Sequence, residues 1–256
     1  LRGKARLRRR GGRLTVLIAL VSAKGAPGVT TGAVALTAIA AQRGPAVLVE
    51  ADPAGGDLEC WTGPHGEPGL VAVATDLRRE VTPESLLDHA VEICSGVRAV
   101  VAPTSEAAST AALVGATDRL GPALAALDGT AVLDAGRWSP FQRTHRHVAA
   151  AGVVGVLCRP TIDGVEHAGA LLEVLRPVNR SVALVLAGGD KPYGPAEISA
   201  ALDAPVAGVL AWDPRGVLAL LTSGVSRAWL RTACARSAQS TLAGLEQVAA
   251  EAWAHA

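Results

Sequence analysis

Along this chain, short runs of consecutive apolar residues alternate with segments whose apolar positions recur at helical spacing. The runs are Thr15–Val21, Ala46–Glu50, Ala99–Ala102, Ala131–Asp134, Val153–Cys158, Val182–Ala187 and Val206–Trp212. They are rich in valine and lack an in–out alternation, the pattern of strands buried on both faces. Between them the spacing predicts helices over Thr31–Gln42, Pro83–Ile93, Glu106–Leu127, Gly164–Leu175 and Pro195–Leu202, with one or two more in Ser226–Trp253. Thr82-Pro83 and Thr161 read as helix starts, a hydroxyl ahead of the first turn. Strands that alternate with helices imply a mostly parallel sheet of about seven or eight strands, flanked by helices in a three-layer α/β domain. Ligands bind such sheets at the carboxyl ends of the strands.

Composition narrows this picture. At 256 residues, half of them apolar, the chain can bury one large α/β core. Charge is unevenly spread: Arg2, Lys4, Arg6, Arg8, Arg9, Arg10 and Arg13 crowd the first 13 residues with no acid among them, which leaves the rest net acidic. Residues 1–13 therefore read as a basic flexible arm and 14–256 as the folded domain. An acidic body is not a nucleic-acid surface; only the arm, or Arg227 and Arg231 if they share a helical face, would meet phosphate. Cys60, Cys94, Cys158 and Cys234 form no C-x-x-C pair, which predicts reduced, mostly buried thiols in a cytoplasmic protein. The basic start and the apolar stretch Leu14–Val21 imitate a secretory signal, but cleavage after Ala23 would destroy the glycine loop that follows, so a strand is the better reading. No segment has the ~18 consecutive apolar residues of a membrane span, and the last stretch, TLAGLEQVAAEAWAHA, has no lysine or arginine to meet anionic lipid.

The candidate chemistry begins in VSAKGAPGVTTGAVAL, residues 21–36. A glycine turn that enters a helix after a buried strand presents unpaired backbone N–H groups at the positive end of the helix dipole, which makes it an anion site. Thr30 sits where a hydroxyl can ligate Mg²⁺. The segment departs from G-x-x-x-x-G-K-(S/T) at Ala23 and Val29, so alone it reads equally as a tight strand-to-helix turn. Two further segments favour the anion site: AVLVEADPAGGDL places Glu50 and Asp52 at the end of one strand, and TAVLDAG ends another in Asp134, suited to orienting a magnesium-bound water.

With these blocks in order, the chain resembles the ParA/MinD family of deviant Walker A P-loop ATPases from about Thr15 to Leu221. Lys24, Gly25, Ala26, Pro27, Gly28, Val29, Thr30 and Thr31 lie along that family's loop, K-G-G-x-G-K-(S/T)-T. The resemblance implies that Lys24 is the lysine that reaches across a nucleotide-sandwich dimer. It implies that Glu50 and Asp52 are the acidic pair, with Asp52, Asp134 and Thr30 near the metal, and that Asp134 is the Walker B aspartate. Gly136-Arg137 would begin the second switch, and Asp213 and Pro214 in VLAWDPRGVLALLTSG would lie in the segment over the base. The implied cofactors are ATP or ADP with Mg²⁺, and the implied assembly is a homodimer acting with a partner complex in partitioning or spatial positioning.

The departures bear on turnover. Val29 replaces the loop lysine, Ala26 a glycine and Glu50 an aspartate, and VLAGGD lacks the asparagine that reads adenine. A lost charge-assisted hydrogen bond is worth roughly 1.5–3 kcal/mol, and phosphoryl transfer needs positive charge at the leaving phosphate. The expectation is a pseudo-ATPase that binds nucleotide and hydrolyses it weakly or not at all. The alternatives are an active ATPase that uses Lys24 in trans and an interaction protein that binds no nucleotide.

Overall fold

A central sheet runs through the computed structural model, which describes residues 8–10, 13–24, 28–64, 69–79, 82–139, 145–188 and 192–254. In chain order the first half comprises β1 (Arg8–Arg10), β2 (Arg13–Ser22), α1 (Val29–Ala41), β3 (Ala46–Glu50), α2 (Leu58–Thr62), α3 (Gly69–Asp76), a 3₁₀ turn (Pro83–His89), β4 (Val91–Cys94), β5 (Val97–Val100), α4 (Glu106–Gly115) and α5 (Leu120–Ala126). The second half comprises β6 (Thr130–Arg137), α6 (His145–Ala149), β7 (Val153–Cys158), α7 (Ile162–Leu175), β8 (Val182–Ala187), α8 (Pro195–Leu202), β9 (Val206–Leu210), α9 (Pro214–Ser223), a 3₁₀ turn (Trp229–Arg231) and α10 (Ala233–Ala254).

The strand order is β4-β5-β3-β6-β2-β7-β8-β9, parallel except for β4, with β1 antiparallel to β2. The β2 strand lies at the centre, in register with β6 (Leu20 opposite Asp134) and with β7 (Ile18 opposite Val153). Its side chains divide between two cores. Leu17, Ala19 and Val21 meet α3, α4, α5 and α7 on one face, and Val16, Ile18 and Leu20 meet α1 and α10 on the other. Burial on both faces explains why these strands read as continuous apolar runs.

Several expectations shift. The helix expected over Pro83–Ile93 is a 3₁₀ turn that gives way to edge strand β4, because Val91 and Ile93 alternate in a hairpin with β5 closed by Ser95-Gly96. The helix expected over Glu106–Leu127 is two: α4 ends at Gly115, and Pro122 sits in the first turn of α5, where its missing N–H costs nothing. Part of the basic arm is strand, since Arg8–Arg10 pair with residues 13–15. Arg227 precedes and Arg231 ends a 3₁₀ turn, so the two do not share an α-helical face. Of the four free thiols, Cys158 and Cys234 are buried, Cys94 is half-buried and Cys60 is exposed. No helix among the described residues is long and apolar enough to cross a membrane.

Candidate functional site

The carboxyl ends of β2, β3 and β6 gather most of the residues singled out in the sequence. Ser22 ends β2; Ala23 and Lys24 follow, Gly25, Ala26 and Pro27 lie outside the described residues, and Gly28 opens α1. Gly28 takes φ 95°, a left-handed conformation that a side chain resists. It gives α1 no side-chain cap, and no acidic residue occupies the first turn. The N–H groups of that turn therefore remain available to an external anion. Val29 is only 6% exposed and packs into the core between α1, α10 and the sheet, so it contributes no side chain to the loop.

Asp134 is fully buried. Its Oδ1 accepts the Gly136 N–H at 3.0 Å, while Oδ2 has no hydrogen-bond partner. Burial pushes its pKa up to about 7; the Thr30 hydroxyl pulls it back, Glu50 raises it further, the Gly136 N–H lowers it and Asp52 raises it. Asp52 stands against Gly136, where an added Cβ would fall 1.9 Å from Asp52 Oδ2. Asp52 Oδ1 accepts the Ala54 N–H at 2.8 Å, and burial raises its pKa.

Glu50, the first of the acidic pair that the resemblance implies, is taken up by the backbone. Its Oε1 accepts N–H groups from Asp57 (2.7 Å) and Leu58 (3.0 Å), and its Oε2 accepts that of Ala102 (2.9 Å). The carboxylate is 1% exposed and bonded to three backbone donors, which ties the start of α2 and the end of β5 to β3. Burial raises its pKa against those bonds. Through these three bonds the residue works as a latch.

Lys24 is exposed, and its Nζ lies 3.4 Å from Nε2 of His167 on α7. On the other side of the loop a cleft of ≈ 350 Å³ opens between α1 and α9. Gly28, Thr31 and Gly32 line one wall, and Asp213, Pro214 and Leu218 the other. The Asp213 carboxylate is committed: Oδ1 accepts Gly216 N–H at 2.9 Å and Oδ2 accepts Cys234 N–H at 3.0 Å, bonds that hold its pKa below the usual range, Cys234 foremost. Asp213 and Pro214 thus shape the cleft while Asp213 caps α9. Trp212, which lines the cleft with 82% of its surface exposed, was missed in the sequence. Its signal was an aromatic residue directly ahead of the Asp-Pro helix start.

A nucleotide with Mg²⁺ fits these residues. The unpartnered, fully buried Asp134 Oδ2 is a natural acceptor for a cation, and Thr30 offers a hydroxyl beside it. Among the described residues no group of three or more His, Cys, Asp or Glu forms a metal cage. A cation held by one or two carboxylates and by phosphate oxygens does not need one.

No protein-family model matches the chain, and no curated protein matches its sequence. Its fold does match solved structures. A ParA family ATPase from Chlorobium tepidum superposes with a TM-score of 0.70 at 18% identity, over 90% of this chain and 98% of that one. The septum site-determining protein MinD of Pyrococcus horikoshii, solved with Mg-ADP, gives 0.69 at 16% identity over 91% and 97% of the two chains. An ATP complex of McdA from Cyanothece gives 0.65 at 17% over 91% and 96%. The chain has the fold of the ParA/MinD-type P-loop ATPases.

Proposed function

We propose that this chain is a ParA/MinD-like ATP-binding scaffold or positioning factor with weak or absent hydrolysis, which acts as a homodimer with a partner complex. The observation that carries the reading is Asp134: a buried carboxylate with one oxygen unpartnered, beside Thr30 and the uncapped start of α1. That arrangement is costly unless a cation and an anion complete it. Val29 in place of a lysine supports weak turnover, because it leaves the loop with Lys24 as its one cation and none at the start of α1. The solved complexes of like fold with Mg-ADP and ATP support the choice of ligand.

The test is thermal denaturation with Mg-ATP and Mg-ADP, followed by phosphate release over a range of protein concentrations. One-site linkage yields about 2.7 kcal/mol of stabilisation at a hundredfold excess over Kd, so even a weak site shifts the midpoint at millimolar nucleotide. Phosphate release stays near background in dilute protein. No shift at any concentration favours a nucleotide-free interaction protein instead. The exposure of Lys24 supports a second reading, an ATPase completed by Lys24 of a second copy. In that case the rate rises more steeply than linearly with protein concentration.

A further inference from the structure

Val29 leaves the start of α1 without the cation that the loop's second lysine would bring, and the fold indicates which other residue can supply one. Val29 is embedded in the core between α1 and the sheet, so the missing charge has to come from another element. Among the described residues, the cations besides Lys24 that follow or end strands at this edge of the sheet include Arg137, Arg159 and Arg215. Lys24 and Arg159 face a small hollow on the β7 side, which they share with Asp163 and His167. Arg215 is exposed in the first turn of α9, which follows β9 at the edge of the sheet, with β2, β7 and β8 between it and β6.

Arg137 is placed differently. It is the last residue of β6 and is exposed, and its guanidinium makes no hydrogen bond or ion pair among the described residues. Its backbone is level with Ser22, the last residue before the loop, and the next residue's N–H, that of Trp138, donates to Ser22 O at 2.9 Å. Three residues earlier stands Asp134 with its free oxygen. Gly136 lies between, φ 58°, bonded through its N–H to Asp134 and leaving room for Asp52. The main chain thus holds Arg137 between the start of the phosphate loop and two carboxylates, while its side chain stays unengaged. Asp52, Asp134 and an anionic phosphate carry more negative charge than a divalent cation alone offsets, and among the described residues Arg137 is an unengaged cation at that spot.

We propose that Arg137 is the phosphate-binding cation of this site, taking over from β6 the charge neutralisation that a lysine at position 29 would supply. The inference rests on the nucleotide-binding reading above. A guanidinium suits that role, because it stays charged at any working pH and its planar fork can give two parallel N–H bonds to phosphate oxygens.

Calorimetric binding of adenosine, AMP, ADP and ATP, each with Mg²⁺, tests it on the full chain. The proteins are the wild type, Arg137→Ala, Arg137→Lys, and Arg43→Ala, which breaks an ion pair with Glu246 after the far end of α1. Arg137→Ala is expected to weaken ADP and ATP about 10- to 100-fold and to leave adenosine unchanged. Arg137→Lys recovers part of the loss, Arg43→Ala behaves as wild type, and Val29→Lys added to Arg137→Ala restores phosphate-dependent affinity. The inference falls if Arg137→Ala binds ATP as the wild type does. It falls equally if adenosine binding is lost in parallel, or if Arg43→Ala costs as much. If the wild type binds none of the four ligands, the nucleotide reading itself is wrong and the inference goes with it, an outcome visible before any variant is made.

Discussion

Two helix starts face each other across the ≈ 350 Å³ cleft, and they are built in opposite ways. The α9 start is closed: Pro214 needs no N–H partner, and Asp213 accepts from Gly216 with one oxygen and from Cys234 at the head of α10 with the other. The α1 start is open: Gly28 has no side chain to give, and no acid follows it in the first turn. A closed start fixes a wall, because its donors are satisfied within the chain. An open start beside an unpartnered buried carboxylate leaves both signs of charge waiting for something from outside. The difference separates a half of the cleft whose helix start is capped within the chain from a half whose helix start is not.

The largest effect is expected where the open half stores unpaired charge. With its pKa pushed up to about 7, Asp134 takes up a proton in the folded state well above the usual carboxylate range. The folded chain therefore holds the extra proton between about pH 4 and 7, and stability falls as pH rises through that window. Asp134→Asn should gain up to about 4 kcal/mol at pH 8 and nearly nothing at pH 4, read from urea midpoints across the range. It should also remove any Mg²⁺ dependence of nucleotide binding. A gain that is the same at both pH values would show that this carboxyl is not the source of the strain.

Breaking the closed half comes next. Asp213→Ala removes a cap and a tie between two helices, a loss of about 2 kcal/mol by chemical denaturation. Its pKa is lowered in the folded state, so this contribution is present above the ordinary aspartate pKa and fades as pH drops below about 4. A substitution that leaves the urea midpoint in place at neutral pH would contradict the capping role.

Glycine substitutions sharpen the contrast between an open start that needs glycine and one that does not. Gly28→Ala forces a methyl-bearing residue to φ 95°, a cost of about 1–2 kcal/mol. Gly194, which precedes α8 at φ −81° with open space around it, should accept alanine with no loss or a gain of about 0.4–1 kcal/mol. Equal effects at the two sites would remove the special status of the Gly28 turn. The smallest change in stability, within about 0.5 kcal/mol, is expected for Lys24→Ala, which should instead weaken nucleotide binding or self-association. If analytical ultracentrifugation and titration with ATP both match the wild type, Lys24 has no part in the site.

Much of the fold was legible because its strands are buried on both faces and carry uninterrupted apolar runs, as in Val153–Cys158 and Val182–Ala187. Legibility failed where a strand lies at an edge. Val91–Cys94 pairs on one side only, and its half-polar pattern merged with the preceding turn into an imagined helix. The boundary within Glu106–Leu127 was missed for the opposite reason, since alanine suits a helix throughout and only the position of Pro122 betrays the second start.

The sequence by itself determined which residue types reach the carboxyl edge, because the polar residue that follows a buried apolar run lies there: Ser22 ahead of the loop, Glu50 after AVLV, and Asp134 after TAVL, although β6 continues beyond it to Arg137. What each carboxylate does there was decided only by tertiary structure. Glu50 and Asp134 lie opposite each other in register on neighbouring strands, yet one is bonded to three backbone donors and the other keeps an oxygen free. The donors that bond Glu50 come from residues 57, 58 and 102, and the last of these lies 52 positions away in the chain. A hydrogen bond between groups that far apart depends on how β3, β5 and the start of α2 pack. Local spacing carries no record of that packing.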